Sequence, residues 1–182
     1  MFAKSALLLV LCCTLLAGNV LSKMYVLINK VEVLNNPKVA NASAVIRRFG
    51  SPMDYVADFQ LQVLETVFDL RVSTIYYVPS LTGNYDKAFY NRTISFCTYL
   101  RQPSTDRILK MIYEDVNRRG CLPKRCPIQV GTYSFNKSFH GFRLPGFLPE
   151  SKFRFDLNFY RGPQYEVCFL TQWYGELKRS FT

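Results

Sequence analysis

Histidine is almost absent from this sequence of 182 residues, which contains only His140. Hydrolysis by a side-chain nucleophile usually needs a histidine beside Ser, Cys or Asp, and His140 lies in a Pro/Gly-rich stretch that predicts a surface loop. The GxSxG, P-loop, HExxH and GxGxxG motifs are also missing. The neighbouring carboxylates of Glu114 and Asp115 would point about 100° apart on a helix. We therefore expect a protein that is not an enzyme, and a hydrolase is the least favoured function.

Patterns typical of metal sites are absent as well. Cys121 and Cys126 are too far apart for the two-residue spacing that zinc ligands usually have. Only His140 is available to complete such a site. We therefore expect no metal and no cofactor.

Long apolar runs are missing after the N-terminus. The one unbroken run, from Ala6 to Ala17, follows Lys4 and precedes small and polar residues, which is the layout of a secretory signal. The small residue at Ser22 favours cleavage after that position. A membrane-spanning helix needs about 20 apolar residues, so we expect no membrane span. The sequence predicts a signal peptide over residues 1–22 and one secreted, extracellular domain over residues 23–182.

A run of five basic residues occurs nowhere, although 23 Lys and Arg outnumber 13 Asp and Glu and give a formal net charge of +10. The basic residues are scattered, in pairs such as Arg47-Arg48 and Lys178-Arg179. Scattered charge is typical of a solvated surface. It would also suit a receptor or an acidic extracellular surface as partner. We expect no nucleic-acid partner, because nucleic acid is scarce outside cells.

Cysteine is limited to six positions, of which Cys12 and Cys13 lie in the predicted signal peptide. An even number remains, and in an oxidising compartment it predicts two disulfides; the remaining residues are Cys97, Cys121, Cys126 and Cys168. We favour Cys97–Cys126 with Cys121–Cys168, because the first pair flanks a predicted helix. The alternative is Cys121–Cys126 with Cys97–Cys168, because Pro123 makes the intervening segment turn-like.

Three N-x-S/T sequons without a central proline are present, at Asn41, Asn91 and Asn136. Such sequons accept N-linked glycans at the surface of secreted proteins. Alternation along the strand that contains Asn91 places it on the face away from Ile94 and Phe96, and so toward solvent. We expect glycosylation at the three sites.

Alternation of apolar and polar residues dominates the rest of the sequence. It is clear over residues 55–63, 153–159 and 165–173, and a period of two is typical of half-buried strands. The pattern slips at Leu64-Glu65 and resumes at Phe68, which predicts a tight hairpin between two antiparallel strands. Further strands fit residues 25–34, 89–100 and 127–135.

One segment, residues 104–119, predicts a helix. Ser104 or Thr105 can cap its N-terminus, and Gly120 suits a left-handed stop at its end. Apolar residues recur on one face, at Ile108, Ile112 and Val116. The sequence therefore predicts a mainly β fold with one helix.

Large apolar side chains occupy one face of several predicted strands, at Phe68, Leu70, Ile94, Phe96, Phe153, Phe155, Phe169 and Trp173. The opposite faces carry Arg, Asp, Asn or a sequon. Faces of this kind usually form a packed core, but they can also border a ligand cavity. The pattern alone leaves both interpretations open.

Several sequence blocks occur together in the order of a known family: FYNRTISFCTYL, PSTDRILKMIYEDV, Cys126-Pro127, GTYSF and LPGFLPESKFRFDLNFY. Over roughly residues 55–173 the sequence resembles a large family of secreted insect proteins of uncharacterised function that includes the chemosensory B proteins. That group is similar in turn to the ganglioside activator protein and the ML lipid-recognition domains. Many members carry cysteines in the first third of the mature chain, whereas residues 25–81 here contain none.

The resemblance implies a two-sheet antiparallel β-cup or sandwich, ML-like or ganglioside-activator-like, with a helix at its opening. It also implies that the eight apolar residues above border a chamber that binds a lipid or other hydrophobic small molecule. We therefore expect an extracellular carrier of a hydrophobic ligand, with a chemosensory or reproductive role. The alternative is a secreted module that binds a protein or a polyanion and has a filled core.

Overall fold

The computed structural model describes residues 22–51, 54–118, 120–137 and 149–181. Most of the predicted signal peptide and the predicted loop around His140 lie outside these residues. The strands are β1 (Ser22–Asn35), β2 (Ala40–Arg48), β3 (Tyr55–Val63), β4 (Leu70–Tyr77), β5 (Ala88–Ser95), β6 (Gly120–Cys121), β7 (Gly131–Lys137), β8 (Ser151–Arg161) and β9 (Glu166–Phe181). The helices are α1 (Phe96–Arg101) and α2 (Arg107–Asn117), separated by a 3₁₀ turn at Pro103–Thr105.

The strands form two antiparallel sheets. One sheet has five strands in the order β1-β9-β8-β4-β5, and the other has four strands in the order β2-β3-β7-β6. The alternation that predicted strands places Phe153, Phe155 and Leu157 on one face of β8. The predicted mainly β, two-sheet antiparallel fold is confirmed.

The sheets are joined along one edge and separated by helices at the other. β1 packs against β2, and the hydroxyl group of Tyr55 on β3 donates a hydrogen bond to the carbonyl oxygen of Val26 on β1. On the opposite side α1 contacts β4 and β5, while α2 contacts β6 and β7. The helices therefore occupy the open side of a wedge.

The predicted hairpin after Leu64 is wrong. β3 belongs to the four-stranded sheet and β4 to the five-stranded sheet, so residues 64–69 cross between the sheets. Within this crossing, Val67 forms a two-way backbone bridge with Ile128, with N···O distances of 2.9 Å in both directions. The slip in the alternation therefore marks a change of sheet, since both strands keep their apolar faces toward the space between the sheets.

The strand predicted over residues 89–100 is half correct. β5 ends at Ser95, and the chain turns into helix α1 at Phe96. The Ser95 side chain accepts a hydrogen bond from the backbone N–H of Thr98, which satisfies one of the free amides of the first helical turn. Alternation alone gave no sign of this cap.

The predicted helix over residues 104–119 is present, but it begins and ends differently. Asp106 caps it in place of Ser104 or Thr105, and its carboxylate accepts a hydrogen bond of 2.9 Å from the N–H of Leu109. Gly120 is not a left-handed stop, because it begins β6. A Cβ atom there would lie 2.7 Å from the carbonyl oxygen of Ser134, so close strand packing is the reason for glycine.

Candidate ligand-binding cavity

A cavity of about 380 Å³ lies between the two sheets and is partly open, as far as the described residues define it. The five-stranded sheet contributes Phe153, Phe155, Leu157, Phe159, Phe169 and Trp173. The four-stranded sheet contributes Phe59, Leu61, Val63 and Phe135, and α2 contributes Leu109, Met111, Ile112, Tyr113 and Val116. Ligand pockets typically measure about 300–1,000 Å³, so the space is large enough for a small hydrophobic molecule.

Burial along the middle of β8 is the reverse of what a packed sandwich would show. Phe155 and Leu157 face the space between the sheets and line the cavity, yet both are only half-buried. Asp156 and Asn158 alternate with them on the outer face, yet they are only 4% and 8% exposed. A close-packed interior would bury the apolar side chains fully. The inward face of β8 therefore borders empty space.

Neighbouring side chains explain the burial of Asp156 on the outer face. The guanidinium of Arg154 forms an ion pair with its carboxylate at 3.0 Å and stacks over the ring of Tyr77 at 4.0 Å from the ring centre. Burial raises the pKa of Asp156, and the charge of Arg154 opposes that rise. This ion pair does not belong to the cavity.

Helix α2 supplies the wall on the open side of the wedge. Its apolar face lines the cavity and includes Ile112 and Val116 of the predicted recurrence. The side chain of Ile108, the third residue of that recurrence, lies outside the described part of the structure. Tyr113 anchors the following loop, since its hydroxyl group donates a hydrogen bond of 2.7 Å to the carbonyl oxygen of Pro123. Leu122 and Pro123 then extend the wall.

A disulfide between Cys97 and Cys126 links the two ends of the segment that carries α2. The predicted Cys97–Cys126 pairing is confirmed, and the alternative Cys121–Cys126 pairing is wrong. The bond closes a loop whose ends are 29 residues apart in sequence. It therefore holds the helical wall against the strand region that precedes β7.

The predicted Cys121–Cys168 disulfide is wrong, because both residues are free thiols. Cys121 is exposed on the two-residue edge strand β6, whereas Cys168 is buried in the cavity wall. Cys168 occupies a β-bulge: Phe159 pairs with Phe169 and Tyr160 with Val167, which leaves Cys168 as an additional residue. Burial raises the pKa of its thiol to about 11.

Six of the eight residues predicted to bind ligand line this cavity: Leu70, Phe96, Phe153, Phe155, Phe169 and Trp173. Phe68 does not, and its prediction as an inward residue is wrong because it is 75% exposed. Its neighbour Val67 takes the inward position through the bridge to Ile128. Ile94 packs against the core from β5 but is not part of the cavity wall.

Residues 71–155 match the family described as "Protein of unknown function (DUF1091)". The matched stretch begins in β4 and ends in β8, so it contains both helices and both cysteines of the disulfide. A search of curated proteins found no match. The match supports membership of an uncharacterised family and assigns no activity to the cavity.

Much of the cavity wall was not predicted as a site. The missed residues are spread over both sheets and α2, and they include Phe59, Leu61, Phe135, Met111 and Tyr113. The alternation of residues 55–63 does place Phe59 and Leu61 on the buried face. No signal in the sequence shows that the face of α2 and the faces of two different sheets enclose one space.

The three sequon asparagines, Asn41, Asn91 and Asn136, are exposed on β2, β5 and β7, respectively. Asn136 donates a side-chain hydrogen bond to Asp58 on the neighbouring strand β3. All three sites are therefore open to solvent, as glycosylation would require.

The described ranges contain neither a metal-binding cluster nor a membrane-spanning helix. Within them, no group of three or more His, Cys, Asp or Glu side chains is arranged to hold a metal ion. Neither helix of these ranges has the length and apolar character needed to cross a membrane. His140 lies outside these ranges.

Proposed function

We propose that the protein is an extracellular carrier that holds a lipid-like, hydrophobic molecule in the cavity between its sheets. The observation that carries this proposal is the inward face of β8, where Phe155 and Leu157 are half-buried beside a cavity of about 380 Å³. Apolar side chains left without packing partners lose the dispersion contacts of a filled core. A hydrophobic ligand would supply those contacts.

The resemblance to secreted insect proteins that include the chemosensory B proteins adds to this proposal. Proteins of the similar ML and ganglioside-activator groups also have two-sheet β folds whose interior accepts lipids. We therefore propose a role in chemosensory or reproductive secretions. The protein would act by binding and transport, without catalysis. The cavity weighs against the alternative of a module whose core is filled and whose surface alone binds partners.

A fluorescent fatty-acid probe tests the proposal. Val63 lines the cavity from β3, whereas Val45 is 55% exposed on β2, so the same substitution at the two positions gives a matched pair. The parent protein and Val45→Phe should bind one probe molecule saturably, and Val63→Phe should bind it at least roughly tenfold more weakly, because the new ring takes up cavity space. Leu157→Trp provides a second filling variant. Absence of probe binding to the parent protein would overturn the proposal.

A further inference from the structure

The polar side chains in the cavity wall direct their polar atoms into the protein. The hydroxyl group of Thr171 donates a hydrogen bond of 2.8 Å to the carbonyl oxygen of Leu157. It also accepts one of 2.9 Å from the indole N–H of Trp173. Because these bonds lie within the five-stranded sheet, neither residue has to use a bound molecule as its partner.

The three tyrosines of the wall show the same arrangement. The hydroxyl group of Tyr113 donates to the carbonyl oxygen of Pro123 at 2.7 Å, and that of Tyr90 donates to the Asp106 carboxylate at 3.3 Å. The Tyr76 hydroxyl group has no hydrogen-bond partner among the described residues, but its oxygen is covered by protein atoms and is therefore not exposed to the cavity. Only the rings of these residues face the cavity.

Cys168 completes the set of polar groups in the wall. Its raised thiol pKa keeps it protonated at neutral pH, and a neutral buried thiol behaves as a small apolar group. As far as the described residues define it, the cavity exposes almost no polar surface. A ligand inside it would meet carbon atoms and would find, among the described residues, no group that determines its orientation by hydrogen bonding.

Building on the proposed carrier function, we propose that the cavity accepts only an unsubstituted hydrocarbon segment and that any polar group of the ligand stays outside. A hydroxyl or carboxyl group inside would lose its hydrogen bonds to water and gain none from the wall. The class of ligand is therefore a hydrocarbon chain, free or with its polar group at one end. Chain length and shape, rather than recognition of functional groups, determine which molecules bind.

Competition between two matched fatty acids tests this inference. Palmitic acid and a hydroxypalmitic acid with its hydroxyl group in mid-chain are each used to displace the fluorescent fatty-acid probe from the full protein. The mid-chain hydroxyl should weaken binding by roughly tenfold or more, because a buried unpaired hydroxyl is costly. Equal displacement by the two acids would overturn the inference while leaving the carrier function intact.

A wall substitution provides the converse measurement. Val63→Thr adds a hydroxyl group to the cavity wall and should reduce the difference in affinity between the two acids. Val45→Thr, on the outer face of β2, should leave this difference unchanged. Val67→Thr is the second variant if Val63→Thr fails to fold, as judged by thermal unfolding. The same difference in affinity in the folded cavity variants as in the parent protein would contradict the inference. If the probe binds none of these proteins, the proposed function itself fails.

Discussion

The hydroxyl group of Tyr55 lies 2.7 Å from the carbonyl oxygen of Val26 and donates a hydrogen bond to it. Tyr55 belongs to the four-stranded sheet and Val26 to the five-stranded sheet, and the tyrosine is completely buried. The bond therefore joins the two sheets close to the edge where β1 meets β2. The cavity can exist because the sheets meet at this edge and separate toward α2.

Tyr55→Phe should lower the free energy of unfolding by about 1 kcal/mol, since it removes one buried hydrogen bond without changing the ring. Tyr133→Phe is the matched control, because the Tyr133 hydroxyl donates to the carbonyl oxygen of Gln129 in an exposed bond of 3.0 Å. The control substitution should lower the free energy of unfolding by much less. Chemical denaturation of both variants provides the measurement, and equal losses would contradict the structural role of the Tyr55 bond.

Two phenylalanines on the same face of β8 should respond differently to truncation. Phe153 is 5% exposed and stacks on Tyr76 at 5.7 Å between ring centres, so Phe153→Ala should cost about 3–5 kcal/mol. Phe155 also lines the cavity but is only half-buried, so Phe155→Ala should lower the free energy of unfolding by about 1–2 kcal/mol. Probe affinity should nevertheless fall in Phe155→Ala.

Phe68→Ala serves as the surface control for this pair. Because Phe68 is 75% exposed, its truncation should change stability by less than about 0.5 kcal/mol and leave probe affinity unchanged. Thermal unfolding and probe titration are measured side by side. A loss of stability in Phe155→Ala as large as that in Phe153→Ala would indicate a filled core around both rings.

The sequence predicted the sheets better than it predicted their connections. Period-two patterns identified β3, β8 and the first half of β9, because one face of each strand is apolar whether that face meets a core or a cavity. The crossing at residues 64–69 was not predictable in this way, since a change of sheet and a hairpin both interrupt the alternation. Phe68 was misplaced for that reason.

The strands that α2 faces, and the free state of two cysteines, could not be predicted from the sequence alone. The apolar face of α2 was visible in Ile112 and Val116, but nothing in the sequence indicated which strands it would face. An even count of cysteines favoured a second disulfide. The bulge at Cys168 instead directs that thiol into the interior, while Cys121 lies exposed on β6.

The two free thiols should react very differently with iodoacetamide. At neutral pH the exposed Cys121 should be alkylated and Cys168 should not, because burial raises the pKa of the Cys168 thiol to about 11 and the thiolate is the reactive form. Peptide mapping after timed alkylation measures both rates. A peptide that links Cys121 to Cys168 would contradict the structure.

The same thiol should make stability sensitive to alkaline pH. The folded pKa of Cys168, about 11, lies above an unfolded value of about 8.5, so the folded state favours the protonated thiol. Its contribution to stability is complete below the unfolded pKa and is lost as the pH rises through the folded pKa. Cys168→Ala should therefore unfold with less dependence on pH between these values than the parent protein, as measured by denaturation at fixed temperature.

Glycan attachment should be detectable at the exposed sequons. Treatment of the protein secreted from insect cells with an enzyme that removes N-linked glycans should lower its apparent mass. Asn91→Gln should make that decrease in mass smaller by one glycan, because Asn91 is exposed on β5. A band that does not move after enzyme treatment would show that the sequons are unused.

Native mass spectrometry tests the central claim most directly. The protein is purified from insect cells, freed of glycans, and measured before and after incubation with palmitic acid, together with Val63→Phe and Val45→Phe. We expect the parent protein and Val45→Phe to carry one lipid-sized ligand per chain and Val63→Phe to lose it. Ligand-free masses for the parent protein under all conditions, or equal ligand retention by the two variants, would contradict a hydrophobic ligand in the cavity.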